Sequence, residues 1–293
     1  MTTTELLARY ENGNTCVSLY IDGTKIREYE GEPLPKYPES MDIKITNWCD
    51  AGCAYCHENS VPEGKHARVE DILEIVEGLP KGVELAIGGG DPLMHPQIIT
   101  ILKEFKDRGL VSNITVNGLH AYRHTQLIKN LRKNNLIYGV GISHQSSSYL
   151  EEVADSNTII HFIVGVDQAQ DARRILVQHN KILLLGYKNY GRGIKYLNEK
   201  VYSNVREWKY WVGTLLKKGI ICFDNLAIEQ LNLKDILTKD IWDKCYMGDD
   251  GKFTMYADAV KNTFAASSTS PRVPRGKLSA LTFFQTLGGT DGH

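Results

Sequence analysis

Cys49-Asp50-Ala51-Gly52-Cys53-Ala54-Tyr55-Cys56 places three thiols within eight residues, at C-x3-C-x2-C spacing. The other three cysteines, Cys16, Cys222 and Cys245, are scattered. Thiolates this close in sequence can wrap one metal centre, and Gly52 eases the bend. Three ligands leave a cubane cluster one cysteine short, so one iron keeps an open position. Such a position serves chemistry rather than fold stability. Three plainer readings compete. A structural Cys3His zinc site would recruit His57, but adjacent Cys56 and His57 would strain to bind one ion tetrahedrally. A disulfide with a spare thiol requires an oxidising compartment. The third reading is chance spacing. Met1-Thr2-Thr3-Thr4-Glu5 has neither the basic nor the apolar region of a signal peptide. The expected location is therefore the cytoplasm, where thiols stay reduced.

The cysteines follow a strand-like run at 41–46, and strand and helix patterns alternate from there on. Strands are expected at 41–46, 83–87, 113–116, 137–143, 158–164 and 181–185. Helices are expected near 68–78, 96–108, 121–133, 168–179 and 202–218, with a short helical stretch before residue 158. That makes about six βα units between residues 41 and 218. Such alternation implies an α/β fold with a parallel sheet and right-handed crossovers, short of the eight units of a closed barrel. Upstream, 15–30 reads as a hairpin around Asp22-Gly23, and a linker carries Pro33, Pro35 and Pro38. Downstream, 220–223 and 226–230 are strand-like, and 252–256 with 260–265 form a second hairpin. From Ser267 the chain is rich in Ser, Thr, Pro, Arg and Gly and is expected to be loose.

The 293 residues are 42% hydrophobic and 24% charged, which excludes collagen-like, coiled-coil and wholly disordered chains. A net charge of −1 gives no overall steering toward nucleic acid or an anionic membrane. The longest apolar runs, such as Ile182-Leu183-Leu184-Leu185, are strand-sized and too short to span a bilayer.

The cysteine motif after the first strand, with Tyr55 at its aromatic position, resembles that of the radical SAM (S-adenosylmethionine) superfamily. Gly89-Gly90-Asp91-Pro92 at the end of the second strand resembles the family's GGEP motif, with Asp in place of Glu. The resemblance implies a partial (β/α)6 TIM-type barrel over residues 41–218. The N-terminal hairpin and linker (1–40), a small α+β cap (219–266) and a flexible tail (267–293) complete the chain. It also implies a [4Fe-4S] cluster on Cys49, Cys53 and Cys56, with SAM chelating the open iron. One electron, from a flavodoxin- or ferredoxin-like donor, would cleave SAM to methionine and a 5′-deoxyadenosyl radical. That radical abstracts hydrogen from a substrate.

Residue roles follow from the resemblance. Gly89 and Gly90 would let the backbone approach the methionine moiety, and Asp91 would accept a hydrogen bond from its ammonium. Tyr55 would lie near the adenine. Asn117 and Ser143 occupy strand ends where functional groups gather. His144 and Gln145 follow Ser143. Residues 163–166, with Gly165, resemble an adenine-binding segment. Tyr187, Lys188, Tyr190 and Arg192 follow the sixth strand, as ligand contacts or as solvated loop residues. Cys222 is a candidate hydrogen-atom donor, against the alternative of a structural cysteine. Cys245-Tyr246-Met247-Gly248 resembles the start of a cysteine-rich extension whose other cysteines are missing.

For substrate, a peptide or protein residue stands first, although the residues before the barrel do not fit a peptide-binding winged helix. The alternative is a nucleotide, nucleoside or nucleic-acid base, suggested by basic and aromatic residues from Lys188 to Trp211. A non-enzymatic zinc scaffold is the third reading. The cap is expected to cover the cluster end of the open barrel, and the tail to be dispensable.

Overall fold

The computed structural model describes residues 5–144, 153–179 and 181–287. Its first three strands, β1 (Leu6–Asn12), β2 (Thr15–Tyr20) and β3 (Lys25–Tyr29), form an antiparallel sheet. The expected hairpin is therefore extended by a strand, which pairs with β2 from Leu6↔Tyr20 to Asn12↔Thr15. Gly23 adopts φ +85° in the β2–β3 turn, a conformation open to glycine at little cost.

The remaining strands build one sheet. They are β4 (Ser40–Thr46), β5 (Glu84–Gly89), β6 (Val111–Asn117), β7 (Val140–Ser143), β8 (Thr158–Ile163), β9 (Lys181–Leu185), β10 (Ile220–Phe223), β11 (Thr254–Asp258), β12 (Thr263–Ala265) and β13 (Val273–Pro274). Their order is β10-β9-β8-β7-β6-β5-β4-β11-β12-β13, and every pairing from β10 to β11 is parallel. The six central strands are those the alternation predicts.

The expected cap over 219–266 does not form a separate layer. Its first strand extends the sheet beside β9, and β11 joins the opposite side beside β4. The expected strand at 226–230 is instead the helix Asn225–Leu231. The Asp224 carboxylate caps its N-terminus by accepting from Ala227 N at 2.7 Å, a local signal that outweighs the apolar run.

The tail also differs from expectation over its described residues. β13 pairs with β12, and the helix Ala280–Leu287 buries Phe283 and Phe284, with the Phe283 ring 5.0 Å from that of Phe264. A Ser/Thr/Pro-rich start hid the helical spacing of Ala280, Phe283, Phe284 and Leu287.

Side chains alternate along the strands. Met41, Ile43, Ile45, Leu85, Ile87, Ile114, Val116, Val140, Ile142, Ile160, Phe162, Ile182 and Leu184 join the core. They pack with Ile72, Leu102, Phe105, Leu131, Ile175 and Trp208 from the surrounding helices. The other face is mixed: polar on β4, β6 and β7, with Asp42, Lys44, Thr46, Asn113, Thr115, Asn117 and Ser143, and more apolar on β8 and β9, where Ile159, Ile163, Leu183 and Leu185 accompany His161. Right-handed crossovers turn such a face inward, away from the helices.

The N-terminal sheet covers the N-terminal ends of these strands. Lys25 pairs with Glu84, and Arg27 donates to Glu39 at 2.7 Å. Asn157 donates to Ile21 O at 3.1 Å, and Lys181 to Asp22 O at 2.6 Å. The C-terminal strand ends are left for the site. No helix among the described residues is long and apolar enough to cross a membrane.

Candidate active site

Beyond β4 the chain is pinned before it reaches the first cysteine. Asn47 N donates to Lys65 O at 2.8 Å, Cys49 N to Val61 O at 3.0 Å, and Val61 N to Asn47 O at 3.2 Å. These bonds close the base of a loop holding Cys49, Cys53 and Cys56. Gly52 takes φ +63° with open space where a Cβ would stand. All three cysteines are half-buried, and none is in a disulfide.

The second motif lies against this loop. Gly90 N donates to Thr46 O at 2.8 Å and Asp91 N to Trp48 O at 2.7 Å. A Cβ on Gly89 would overlap the Thr46 carbonyl, and one on Gly90 the Trp48 carbonyl. Gly89 also has φ +118°. These two glycines therefore admit the backbone that leads into the cysteines, a requirement of the chain itself.

Asp91 is fully buried. One carboxylate oxygen accepts from Leu93 N at 3.1 Å, capping the short 3-10 turn Pro92–Met94. The other lies 3.4 Å from His120 Nδ1 and 3.5 Å from His124 Nε2. His120 Nε2 meets the Asp50 carboxylate at 2.8 Å, and Arg123 Nη1 meets its second oxygen at 2.7 Å. The helix Gly118–Arg123 after β6 thus ties the cysteine loop to the glycine motif. Arg123 also holds the Asp50 carboxyl below its usual range, with His120 assisting and partial burial opposing.

Sequence reasoning missed His120, Arg123 and His124. Their i, i+3 and i+4 spacing directly after a strand end was the available signal. We expect Asp91→Ala to loosen the glycine motif as well as any ligand contact, lowering apoprotein stability by about 1–3 kcal/mol. Urea unfolding of the metal-free protein checks this; an unchanged midpoint would confine Asp91 to ligand binding.

The other expected residues distribute unevenly. Asn117 caps the helix after β6, and its Nδ2 lies 3.6 Å from Cys53 Sγ, directly at the loop. Ser143 stands beside Asn117 in register. The Tyr55 ring meets that of Tyr196 edge-on at 5.6 Å. Gly165 follows β8 and is packed so closely by Tyr187 and Val201 that a Cβ would stand 2.8 Å from each. His144 Nδ1 meets Asp167 at 3.1 Å and its ring stacks on Phe162. Gln145 lies outside the described residues. Lys188 and Tyr190 bond Ser268 and Thr269. Cys222 is on β10, the first strand in the sheet order and six places from β4, on the face opposite the packed Ile221 and Phe223. Burial pushes its thiol up. Cys245 ends an exposed helix and is itself exposed.

Beneath the loop lies a charged group unread from sequence. Lys44 is buried between Glu58, at 2.5 Å, and Asp258, at 3.4 Å. Tyr256 OH donates to Glu58 at 2.9 Å, and the Arg272 guanidinium stands 3.7 Å over the Tyr256 ring. Burial opposes ionisation of Glu58, but Lys44, with His57 and Tyr256, holds its carboxyl down at about 2. A depressed folded-state value stabilises the fold above the ordinary carboxylate range, and that contribution disappears as pH falls through the depressed value. We expect the stability gap between wild type and Glu58→Gln apoprotein to shrink as pH falls from 4.5 toward 2. Chemical denaturation across that window measures it.

The donor set suits an iron–sulfur cluster. Burial pushes the Cys49 and Cys53 thiols up, so a cationic centre is needed to hold them as thiolates. A cubane gives each cysteine its own iron, which matches three thiols spread around one bend. His57, the fourth ligand of a zinc site, instead directs Nε2 toward Glu58 at 3.6 Å.

Comparison with known proteins agrees with this geometry. Residues 43–190 match the family described as the radical SAM superfamily. The tungsten-containing aldehyde ferredoxin oxidoreductase cofactor-modifying protein of Pyrococcus furiosus is 26% identical over 129 residues, covering 42% of this chain and 35% of that protein. A probable GTP 3',8-cyclase of Methanocaldococcus jannaschii is 25% identical over 137 residues, covering 45% of each. The chain thus spans less than half the length of these relatives. In fold it is similar to Streptococcus suis SuiB, solved bound to the precursor peptide SuiA. The TM-score is 0.58 and the identity 15%, covering 88% of this chain and 67% of that one. The family match over half the chain, with the three-cysteine loop and the glycine motif interlocked at adjacent strand ends, shows that this chain belongs to the radical SAM superfamily.

Proposed function

We propose that this chain carries a [4Fe-4S] cluster on Cys49, Cys53 and Cys56 and acts with SAM on a peptide or protein residue. The observation that carries the reading is the cysteine loop, closed at its base and locked against Gly89-Gly90 at the C-terminal end of the sheet. When bound, the cluster and SAM together supply a 5′-deoxyadenosyl radical that abstracts hydrogen from substrate.

The protein's own contributions are placement and shielding. Asp50, held by His120 and Arg123, fixes the loop on one side. Asn117 presents an amide N–H to the Cys53 sulfur. Ser143 and Gly165, near strand ends, are offered as SAM contacts, and Tyr55 as an adenine neighbour. Cys222, exposed on the face away from the packed Ile221 and Phe223, is retained as a hydrogen-atom donor candidate. The polar residues of the inner face on β4, β6 and β7 offer hydrogen-bonding groups for a substrate.

The peptide reading is supported by the likeness to SuiB, whose structure holds a precursor peptide. The nucleic-acid reading loses support in the basic aromatic stretch. Trp208 is fully buried and donates to Asp167 O at 2.9 Å, so it is not a stacking platform. A flavodoxin- or ferredoxin-like electron donor and a cytoplasmic location belong to the same proposal.

The test is anaerobic reconstitution followed by dithionite and SAM. Release of 5′-deoxyadenosine is expected even without substrate, and addition of the true substrate should accelerate it. Peptides and GTP are assayed side by side. Acceleration by GTP alone would replace the peptide reading, and absence of any cleavage by loaded protein would overturn the function.

A further inference from the structure

Arg192 lies far from the cysteines in sequence, on the segment that follows β9, yet its contacts end on the cysteine loop. Its Nε donates to Cys53 O at 2.9 Å and its Nη1 to Ser60 O at 3.0 Å. Its own amide donates to Cys56 O at 3.0 Å. Two of these three carbonyls belong to cysteines of the motif. Within the loop these two accept longer turn bonds, Cys53 O from Cys56 N at 3.2 Å and Cys56 O from Asn59 N at 3.4 Å, so the Arg192 donors are the shorter second bond to each. A planar guanidinium can serve two acceptors in fixed geometry, which a lysine cannot reproduce.

The segment carrying Arg192 is itself anchored. Gly191 takes φ +55°, and a Cβ there would stand 2.5 Å from His57 O, so the backbone lies flat on the cysteine loop. The buried Tyr187 donates its hydroxyl to Gly193 O at 2.5 Å. Its amide donates to Gln230 Oε1 at 2.8 Å, and Gln230 Nε2 donates back to Tyr187 O at 2.9 Å. Arg192 therefore projects from a fixed support, and two guanidinium nitrogens are already committed to loop carbonyls.

We propose that Arg192 is a positioning residue of the iron–sulfur centre. It holds the Cys53–Ser60 part of the loop in its metal-binding shape and sets a fixed positive charge beside the Cys53 end of the cluster. The inference rests on the assignment of the three cysteines as cluster ligands. Reduction adds negative charge to a cluster, so a nearby cation favours the reduced form and raises the potential. Arg123 and His120, after β6, secure the loop at Asp50; Arg192, after β9, secures it at Cys53, Cys56 and Ser60.

Arg192→Ala, Arg192→Gln and Arg192→Lys are compared with wild type and with Lys195→Ala, a change at an exposed neighbour on the same segment. Three readouts are used: cluster loss to an iron chelator, reduction potential by EPR-monitored titration, and hydrogen exchange of residues 49–60 in apoprotein. Arg192→Ala should lose its cluster roughly 10- to 100-fold faster, as for other supports behind metal ligands. Its exchange should quicken at 49–60 and stay unchanged in β5 and β6. The potential should move negative in the Ala and Gln variants and move less in Lys, which keeps the charge. Lys195→Ala should match wild type. Wild-type retention and potential in all three Arg192 variants would overturn the proposal, as would exchange quickened uniformly across the sheet, which marks a general fold contact. If wild type itself takes up no cluster, the ligand assignment fails and the proposal with it. If wild type loads and Arg192→Ala holds the cluster equally well, only the proposal fails.

Discussion

Replacing Cys49, Cys53 and Cys56 together with Ala will reduce bound iron and sulfide after anaerobic reconstitution from about four each per chain to background. The same variant should lose any SAM cleavage that the loaded wild type shows. The fold should survive, because the three side chains are only half-buried and none belongs to the hydrophobic core. The loop base is closed by backbone bonds at Asn47, Cys49 and Val61, which side-chain truncation leaves in place. Metal analysis and far-UV circular dichroism on one preparation separate the outcomes. A folded triple variant with a full cluster would mean that other residues hold it. A colourless wild type containing zinc would return the loop to the structural reading.

Phe283→Ala will cost about 3–5 kcal/mol of stability, the usual price of emptying a large aromatic site in a packed core. The residue is 5% exposed and stacks on Phe264 of β12, in a stretch whose composition suggests a loose tail. Urea unfolding of the apoprotein measures the loss; a change within about 0.5 kcal/mol, typical of a surface site, would restore the loose tail. Deleting 267–293 should then do more than shorten the chain. It removes Arg272 from above Tyr256 and beside Glu58, and Ser268 and Thr269 from Lys188 and Tyr190. Cluster loading is expected to fall in the deletion, in contrast to the dispensable tail expected from sequence.

The parts legible in sequence are those fixed by local pattern. Alternation of strand and helix signals located β4 to β9, because each βα unit carries its own periodicity. The cysteine and glycine motifs were legible because their spacing is short. What remained hidden depends on partners distant in sequence. Nothing local to Thr254–Asp258 announces that it lies parallel to Ser40–Thr46, a pairing made only by the closing sheet. His120 becomes informative only when Asp50 and Asp91 are seen on its two sides. Arg192 reads as one of several basic residues in a loop until its acceptors are known. Asp91 is a further case: the motif match implied a hydrogen bond to the SAM ammonium, and only the structure shows that the buried carboxylate also caps a turn and faces two histidines.

The pairing of β11 with β4 also sets an order of events during synthesis. The strand that leads into the cysteines is flanked on one side by β5 and on the other by residues more than two hundred positions later in the chain. Until 254–258 leave the ribosome, β4 has a bare edge and the Lys44 ammonium lacks Asp258 and the Tyr256 wall around Glu58. Contacts of such sequence separation form late and slowly. A nascent chain therefore offers its thiols from an incomplete support until 254–258 have paired with β4. A bare strand edge in that interval is open to wrong pairing, so the late strand protects the fold as well as the lysine beneath the cysteines.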